Sequence, residues 1–282
     1  MCRIAVTLIV SLLCLTALGG VDGSRFYARK SGKSKQVKVD RKDLKVNRKG
    51  AQSKRELKDN VVNYRTARYI KGIPMVDQKN RAYCAVATVQ RHLKYYFEGS
   101  SVNIRKLADS LGADKERGTN IAYMVKAIQQ YSRELRLNVE ISYAADAEEV
   151  LQKYNRAAKK PVKFSGRLST DELEDIIRKI DFSTWKKIRT KESGARKQAW
   201  NFIRRNIDNG IPVTWSVWLG LVSEQGRKMT AGGHMRMIIG YDAKRGKIIY
   251  TDSWGEGHSR KEMDWDDAWA ITSRMMVMTP KR

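Results

Sequence analysis

The chain has 282 residues, with 56 Lys and Arg against 30 Asp and Glu, a formal net charge of +26 and 41% apolar residues. That length can bury the core of one large or two smaller domains, and the charge favours anionic partners such as envelope polymers, nucleic acid or acidic proteins without fixing a fold. Two of the three cysteines, Cys2 and Cys14, fall in the opening segment, so once it is removed Cys84 is alone and an internal disulfide is excluded.

The opening stretch MCRIAVTLIVSLLCLTALGGVDGS sets Arg3 before an apolar run from Ile4 to Leu18, with small residues following. This is the order of a secretory signal, with Ala17/Gly19 or Val21/Gly23 ahead of the cut. An uncleaved anchor is the competing assignment, but the run is shorter than the roughly 20 apolar residues of a membrane span. Cys14 lies inside the run, not at its end where a lipoprotein cysteine would stand. Residues 1–23 are therefore expected to be a signal peptide, and the protein to be secreted, periplasmic or otherwise extracytoplasmic. No later stretch is apolar enough to cross a bilayer. Arg3 and Asp22 cancel, so the net charge survives the cut.

Residues 24–70 are predicted to be a basic, partly disordered arm. From Arg25 to Lys58 they are rich in Lys and Arg and show no sustained apolar period. Two roles fit such an arm: attraction to anionic surface polymers, or an inhibitory pro-segment. Nucleic acid is not expected, because export argues against it and no base-stacking aromatics accompany the lysines.

Past residue 70 the pattern becomes that of a folded domain. Gly72-Ile73-Pro74 begins an extended stretch to Gln78, and from Cys84 onward Val86, Val89, Leu93 and Tyr96/Phe97 recur at helical spacing. A second helix is predicted from Asn103 to Leu111, and a third after Thr119 or Asn120 as its cap. Leu137, Val139, Ile141 and Tyr143 alternate with polar residues as in a half-buried strand. Ser169 with Glu172 reads as a capping box before LEDIIRKI, and ARKQAWNFIRRNIDNG places Trp200, Ile203 and Ile207 on one helical face. Then come strand patterns: IPVTWSVWL, HMRMIIGYD and KIIYTD, with a turn from Asp242 to Gly246, and SRMMVM as a further edge strand. Helices first and antiparallel strands last predict an α+β domain over residues 71–282.

A free thiol in an oxidising compartment is open to oxidation and capture, which leaves two accounts of Cys84: a buried, small apolar residue, or a nucleophile. Its place in the first turn of a helix favours the second, since unpaired N–H groups and the helix dipole stabilise thiolate there. It needs a base. His92 lies eight residues further along the same helix, about 12 Å away by helical rise, and is out of reach. His234 opens a strand after Gly232-Gly233, whereas His258 follows Gly255-Glu256-Gly257 in a loop. If the Asp242–Gly246 turn joins an antiparallel pair, Asp252 returns to the neighbourhood of His234, where a carboxylate can fix the imidazole tautomer and leave the other ring nitrogen to the thiol. Cys84, His234 and Asp252 could in principle hold zinc with an open position instead.

Gln78 ahead of Cys84, the Gly-Gly-His strand and Asp252-Ser253-Trp254-Gly255 together resemble the papain-like cysteine peptidases, most closely the C39-like, bacteriocin-processing branch. The resemblance runs from Ile73 to Met278 and is vague between Tyr143 and Asn209. It implies a papain-like fold with the nucleophile helix packed on a C-terminal antiparallel sheet. It further implies Cys84 as nucleophile, His234 as general base and then acid, Asp252 as orienter, Gln78 as oxyanion donor beside the Cys84 N–H, and Trp254 as a shield over the His–Asp hydrogen bond. A peptide or protein substrate follows, hydrolysed through a thioester, with no cofactor and no metal; a glutamine oxyanion donor has no role at a zinc site. Papain-like enzymes carry Asn where Asp252 stands, so asparagine is expected to support partial activity. Ala85 departs from the Gly or Trp often found after the cysteine. A cell-wall amidase or endopeptidase, and a non-catalytic binding protein on the same fold, remain the other functional classes.

Overall fold

The structure is a computed structural model and describes residues 39–281 except 48, 49, 80, 81, 101, 115, 117, 165–169 and 225. The signal segment, the first part of the arm and Ser169 lie outside the described residues. Among those described, no helix is long and apolar enough to cross a membrane.

One eight-stranded antiparallel sheet organises the chain. Its members are β1 (Val61–Tyr64), β2 (Ala67–Ile70), β3 (Leu137–Ala144), β4 (Val213–Leu219), β7 (Gly232–Asp242), β8 (Lys247–Thr251), β9 (Lys261–Asp264) and β10 (Thr272–Pro280). The order is β1-β2-β7-β4-β10-β3, with β8 also on β7 and β9 on β8. A separate two-stranded hairpin, β5 (Ser223–Glu224) and β6 (Arg227–Lys228), rises from the connection between β4 and β7. The helices are α1 (Lys54–Asp59), α2 (Cys84–Tyr96), α3 (Ile104–Ser110), α4 (Ile121–Gln130), α5 (Ala147–Ala157), α6 (Thr170–Lys179), α7 (Phe182–Thr190), α8 (Ser193–Ile207) and α9 (Trp265–Ile271).

The apolar runs explain the middle of the sheet. VTWSVWL in β4 is buried at every position but its last, and β7 is buried from His234 to Asp242. Strands whose successive residues are all buried must be covered on both faces, and α2, α6 and α8 pack on β7. Helix α2 is likewise buried over most of its circumference, including Arg91 and His92. Arg91 is matched there by the carbonyls of Pro74 and Asp252 and the Thr251 hydroxyl, and His92 by the hydroxyl of Thr214. The α+β class is as expected, and so is the turn after Asp242. Asp242 pairs with Lys247, and its carboxylate accepts from the N–H groups of Lys244 and Arg245. Gly246, at φ 62°, closes that turn in the left-handed region that glycine adopts without strain.

Two expectations are corrected. The SRMMVM segment is no edge strand: β10 lies inside the sheet between β4 and β3, and the edge is β3. Periodicity alone could not show this, because β3 is inserted from far earlier in the chain. Of the arm predicted over residues 24–70, the described residues from Val39 onward are built into the domain. A short 3-10 helix (Arg41–Leu44), α1 and the β1–β2 hairpin pack on the domain, with Leu44 0% and Leu57 3% exposed. Irregular spacing hid these apolar residues, although Ser53 and Glu56 form a capping box that was legible in the sequence. The segment docks far from Cys84: the Gln52 N–H donates to the Tyr96 carbonyl at the last residue of α2, about 18 Å from its first by helical rise. Leu44→Ala is expected to destabilise the fold by about 2–5 kcal/mol. Denaturant unfolding checks this, and a neutral result would return the segment to the status of a dispensable arm.

Candidate active site

Three elements converge on one point. The N-terminus of α2 brings Cys84, the start of β7 brings His234, and the loop leaving β8 brings Asp252. Strand alternation puts Gly232, His234 and Arg236 on one face of β7, in unbroken register with Leu219, Val217 and Trp215 of β4. Because Met237 pairs with Thr251, Asp252 emerges opposite Arg236, within reach of both His234 and Arg236.

Asp252 is fully buried and accepts at Oδ1 from His234 Nε2 and from Arg236 Nε, each at 2.9 Å. Its Oδ2 faces Lys261 Nζ at 3.3 Å. With Nε2 committed to Asp252, Nδ1 is the ring nitrogen left for Cys84, and the thiol and the imidazole are close enough to shift each other's titration. The loop is closed behind Asp252 by its own N–H and by the Thr251 hydroxyl, both donating to the His258 carbonyl at 3.0 Å. Gly255 and Gly257 take φ of 83° and 76° in this loop, which makes the tight return possible. Trp254 stacks on His234 with ring centroids 4.4 Å apart and planes 18° apart.

Cys84 is half-buried. Helix α2 has no side-chain cap from Tyr83, and the backbone N–H groups of Ala85 and Met235 act on the sulfur. Burial pushes the thiol pKa up, but the hydrogen bond and charge of His234 and those two N–H groups outweigh it, so the pKa falls below the ordinary value. For His234, burial works against protonation, yet the hydrogen bond to Asp252 and the contact with Cys84 raise its pKa. Thiol down and imidazole up both move the pair toward thiolate–imidazolium. Asp252 is held well below the usual carboxylate range: burial opposes this, and the His234 hydrogen bond and the Arg236 charge overcome it.

Gln78 reaches the site through Ser253. The Ser253 hydroxyl donates to Gln78 Oε1 at 2.6 Å, and the Gln78 N–H donates to the Ser253 carbonyl at 2.8 Å. With the carboxamide oxygen occupied, Nε2 is the donor end of this side chain. The other histidines are placed elsewhere. His258 meets the edge of Trp254, with centroids 5.4 Å apart. His92 is buried against Thr214, its pKa pushed down to about 3 by burial and by neighbouring Arg91. The zinc alternative loses its geometric basis, since His234 stands in line between Cys84 and Asp252 and the carboxylate is taken up by Arg236 and Lys261. Three residues of the site, Arg236, Glu224 and Lys261, have no place in the motifs of the sequence, and Ser253 stands in one without its bond to Gln78 being evident. Arg236 carried a signal, two residues past His234 on the same strand face. Glu224 and Lys261 carried none.

The family model described as the Peptidase C39 like family matches residues 70–276. A crystal structure of a candidate C39-like peptidase from Bacillus anthracis is similar at a TM-score of 0.39 and 11% identity, covering 75% of this chain and 96% of that one. Among curated proteins nothing matches.

Proposed function

The chain belongs to the Peptidase C39 like family, and from that premise we propose that it is an exported cysteine peptidase whose triad is Cys84, His234 and Asp252. The observation that carries this reading is the convergence of Cys84 at the N-terminus of α2 with His234, whose Nε2 is 2.9 Å from the Oδ1 of buried Asp252. In the reaction, the Cys84 thiolate attacks the carbonyl carbon of the scissile amide. Negative charge develops on the carbonyl oxygen, where the Cys84 N–H and Gln78 Nε2 serve as donors. The His234 imidazolium gives its proton to the leaving amine, and a thioester to Cys84 remains. Neutral His234 then takes a proton from water as it attacks the thioester, and the carboxylic acid leaves with the thiol restored. Asp252 stays ionised throughout and fixes which ring nitrogen faces the sulfur. The signal-like start of the chain supports the extracytoplasmic setting.

The net charge of +26 supports one other substrate class for the same chemistry, an amide bond within an anionic wall polymer. Incubation with a proteome-derived peptide library and, separately, with purified wall material separates the two, with Cys84→Ala as control. Peptide cleavage that disappears in Cys84→Ala is the expected result. Release of fragments from the wall material alone would reassign the substrate, and no cleavage of either would leave a binding protein on this fold.

A further inference from the structure

Behind the His234–Asp252 pair stand three more charged side chains that the triad chemistry does not use. Arg236 is wholly buried, held between Asp252 Oδ1 at 2.9 Å and Glu224 Oε1 at 2.7 Å. Glu224 comes from β5, and its Oε2 accepts from the Tyr250 hydroxyl at 2.7 Å. Lys261, at the start of β9, lies 3.3 Å from Asp252 and 3.9 Å from Glu224. Aromatic rings enclose the group: the Arg236 guanidinium lies 4.9 Å from the centre of the Tyr250 ring and 5.7 Å from those of Trp215 and Trp254. Solvent screening is weak in such surroundings, so each charge acts strongly on its neighbours.

The signs can be followed one by one. Once the proton has passed from Cys84 to His234, the cations joined through Asp252 and Glu224 are imidazolium, Arg236 and Lys261, and the anions are thiolate, Asp252 and Glu224. These charges sum to zero, as they do before the transfer, and Arg91 adds a fixed positive charge from α2 that the transfer leaves unchanged. Without Glu224 the cluster would hold an excess positive charge beside the imidazolium, and without Lys261 an excess negative one. The remaining charged groups around His234 do not replace either. Arg91, from deeper in α2, is solvated by the Pro74 and Asp252 carbonyls; His258 lies beyond Trp254. The Glu174 carboxylate of α6 stands over Gly232 and is paired with Arg178, and Asp208, following α8, binds Tyr241 and Arg68 toward the far end of β7.

We propose that Glu224 and Lys261 are positioning residues of opposite effect. Glu224 neutralises Arg236 so that Arg236 can orient Asp252 without repelling the imidazolium, and Lys261 limits how strongly Asp252 favours it. Together they set where the thiolate–imidazolium pair gives up its proton at high pH. This rests on the peptidase reading of Cys84 and His234 above. It also makes the β5–β6 hairpin, which carries none of the motifs, part of the site.

Ring-proton NMR titration of His234 in wild type, Glu224→Gln, Lys261→Met and Lys261→Arg tests it. Glu224→Gln is expected to lower the His234 pKa by about one unit and Lys261→Met to raise it by about one, the size expected for one nearby buried charge. Lys261→Arg should return the wild-type value. Shifts of the same sign, or no shift in either, would overturn the proposal, because loosened packing alone has no reason to move the two in opposite directions. Should Glu224→Gln fail to fold, Lys261→Met and its Arg rescue decide alone, and an unmoved His234 in Lys261→Met sinks the idea. The pH dependence of Cys84 alkylation in the wild type keeps the premises apart. An ordinary thiol there removes the peptidase reading, while the His234 shifts still judge the charge balance.

Discussion

Asp252→Asn is expected to destabilise the protein by about 3–5 kcal/mol, the usual effect of removing one partner from a buried charge pair. The loss follows from what Asp252 holds. One oxygen takes His234 and Arg236 and the other faces Lys261. An asparagine can offer its single oxygen to the first two, but its amide then points a donor at the Lys261 ammonium. The substitution also leaves buried Arg236 and Lys261 with Glu224 as the remaining anion of the cluster. The partial activity expected from the asparagine of papain-like enzymes is thereby revised: here the carboxylate serves two cations as well as the imidazole. The pH dependence of stability carries the same sign. A carboxylate whose folded pKa is depressed stabilises the fold fully above its unfolded value near 3.9 and loses that contribution as pH falls toward the lower folded value. Denaturant unfolding of wild type and Asp252→Asn should therefore differ most at neutral pH and converge in strong acid. Equal stability at neutral pH would contradict this assignment of charges.

His234→Ala is expected to reduce kcat/KM toward a cleaved peptide by about 10²- to 10⁴-fold, the range over which a positioned acid–base group contributes. The residue acts twice, first in giving the amine its proton and then in activating water. Its removal also withdraws the interaction that lowers the Cys84 pKa, so the nucleophile reverts toward a thiol. Circular dichroism of the variant should match the wild type in spectrum, since the pairing of β7 with β4 at His234 and Val217 is made by the backbone and not by the ring. Undiminished turnover would remove His234 from the mechanism and bring His258 forward.

The contrast between what was legible in the sequence and what was not has physical causes. Helix α2, β4, β7 and the β7–β8 hairpin were readable because periodicity and turn chemistry are local, and the hairpin alone brings Asp252 back toward His234. Segments whose neighbours come from far along the chain were misplaced. Strand β10 is interior only because β3 closes over its outer edge, and Leu44 is buried only because the domain supplies the partner surface. The site divides along the same line. Cys84, His234 and Asp252 stand in short motifs with fixed spacing, and Trp254 and Ser253 are carried in the same tetrapeptide as Asp252. Glu224 and Lys261 stand in no motif, and their charges acquire meaning only when β5, β7 and β9 bring them around Arg236.

The most direct test of the central claim is the rate of alkylation at Cys84 as a function of pH, read from the mass of its peptide, in wild type and in His234→Ala. A thiolate paired with imidazolium predicts rapid labelling well below the ordinary thiol pKa of about 8.5, and a shift of that rise to higher pH when His234 is removed. A wild-type rate that rises only around pH 8.5 and is unchanged in His234→Ala would contradict the claim.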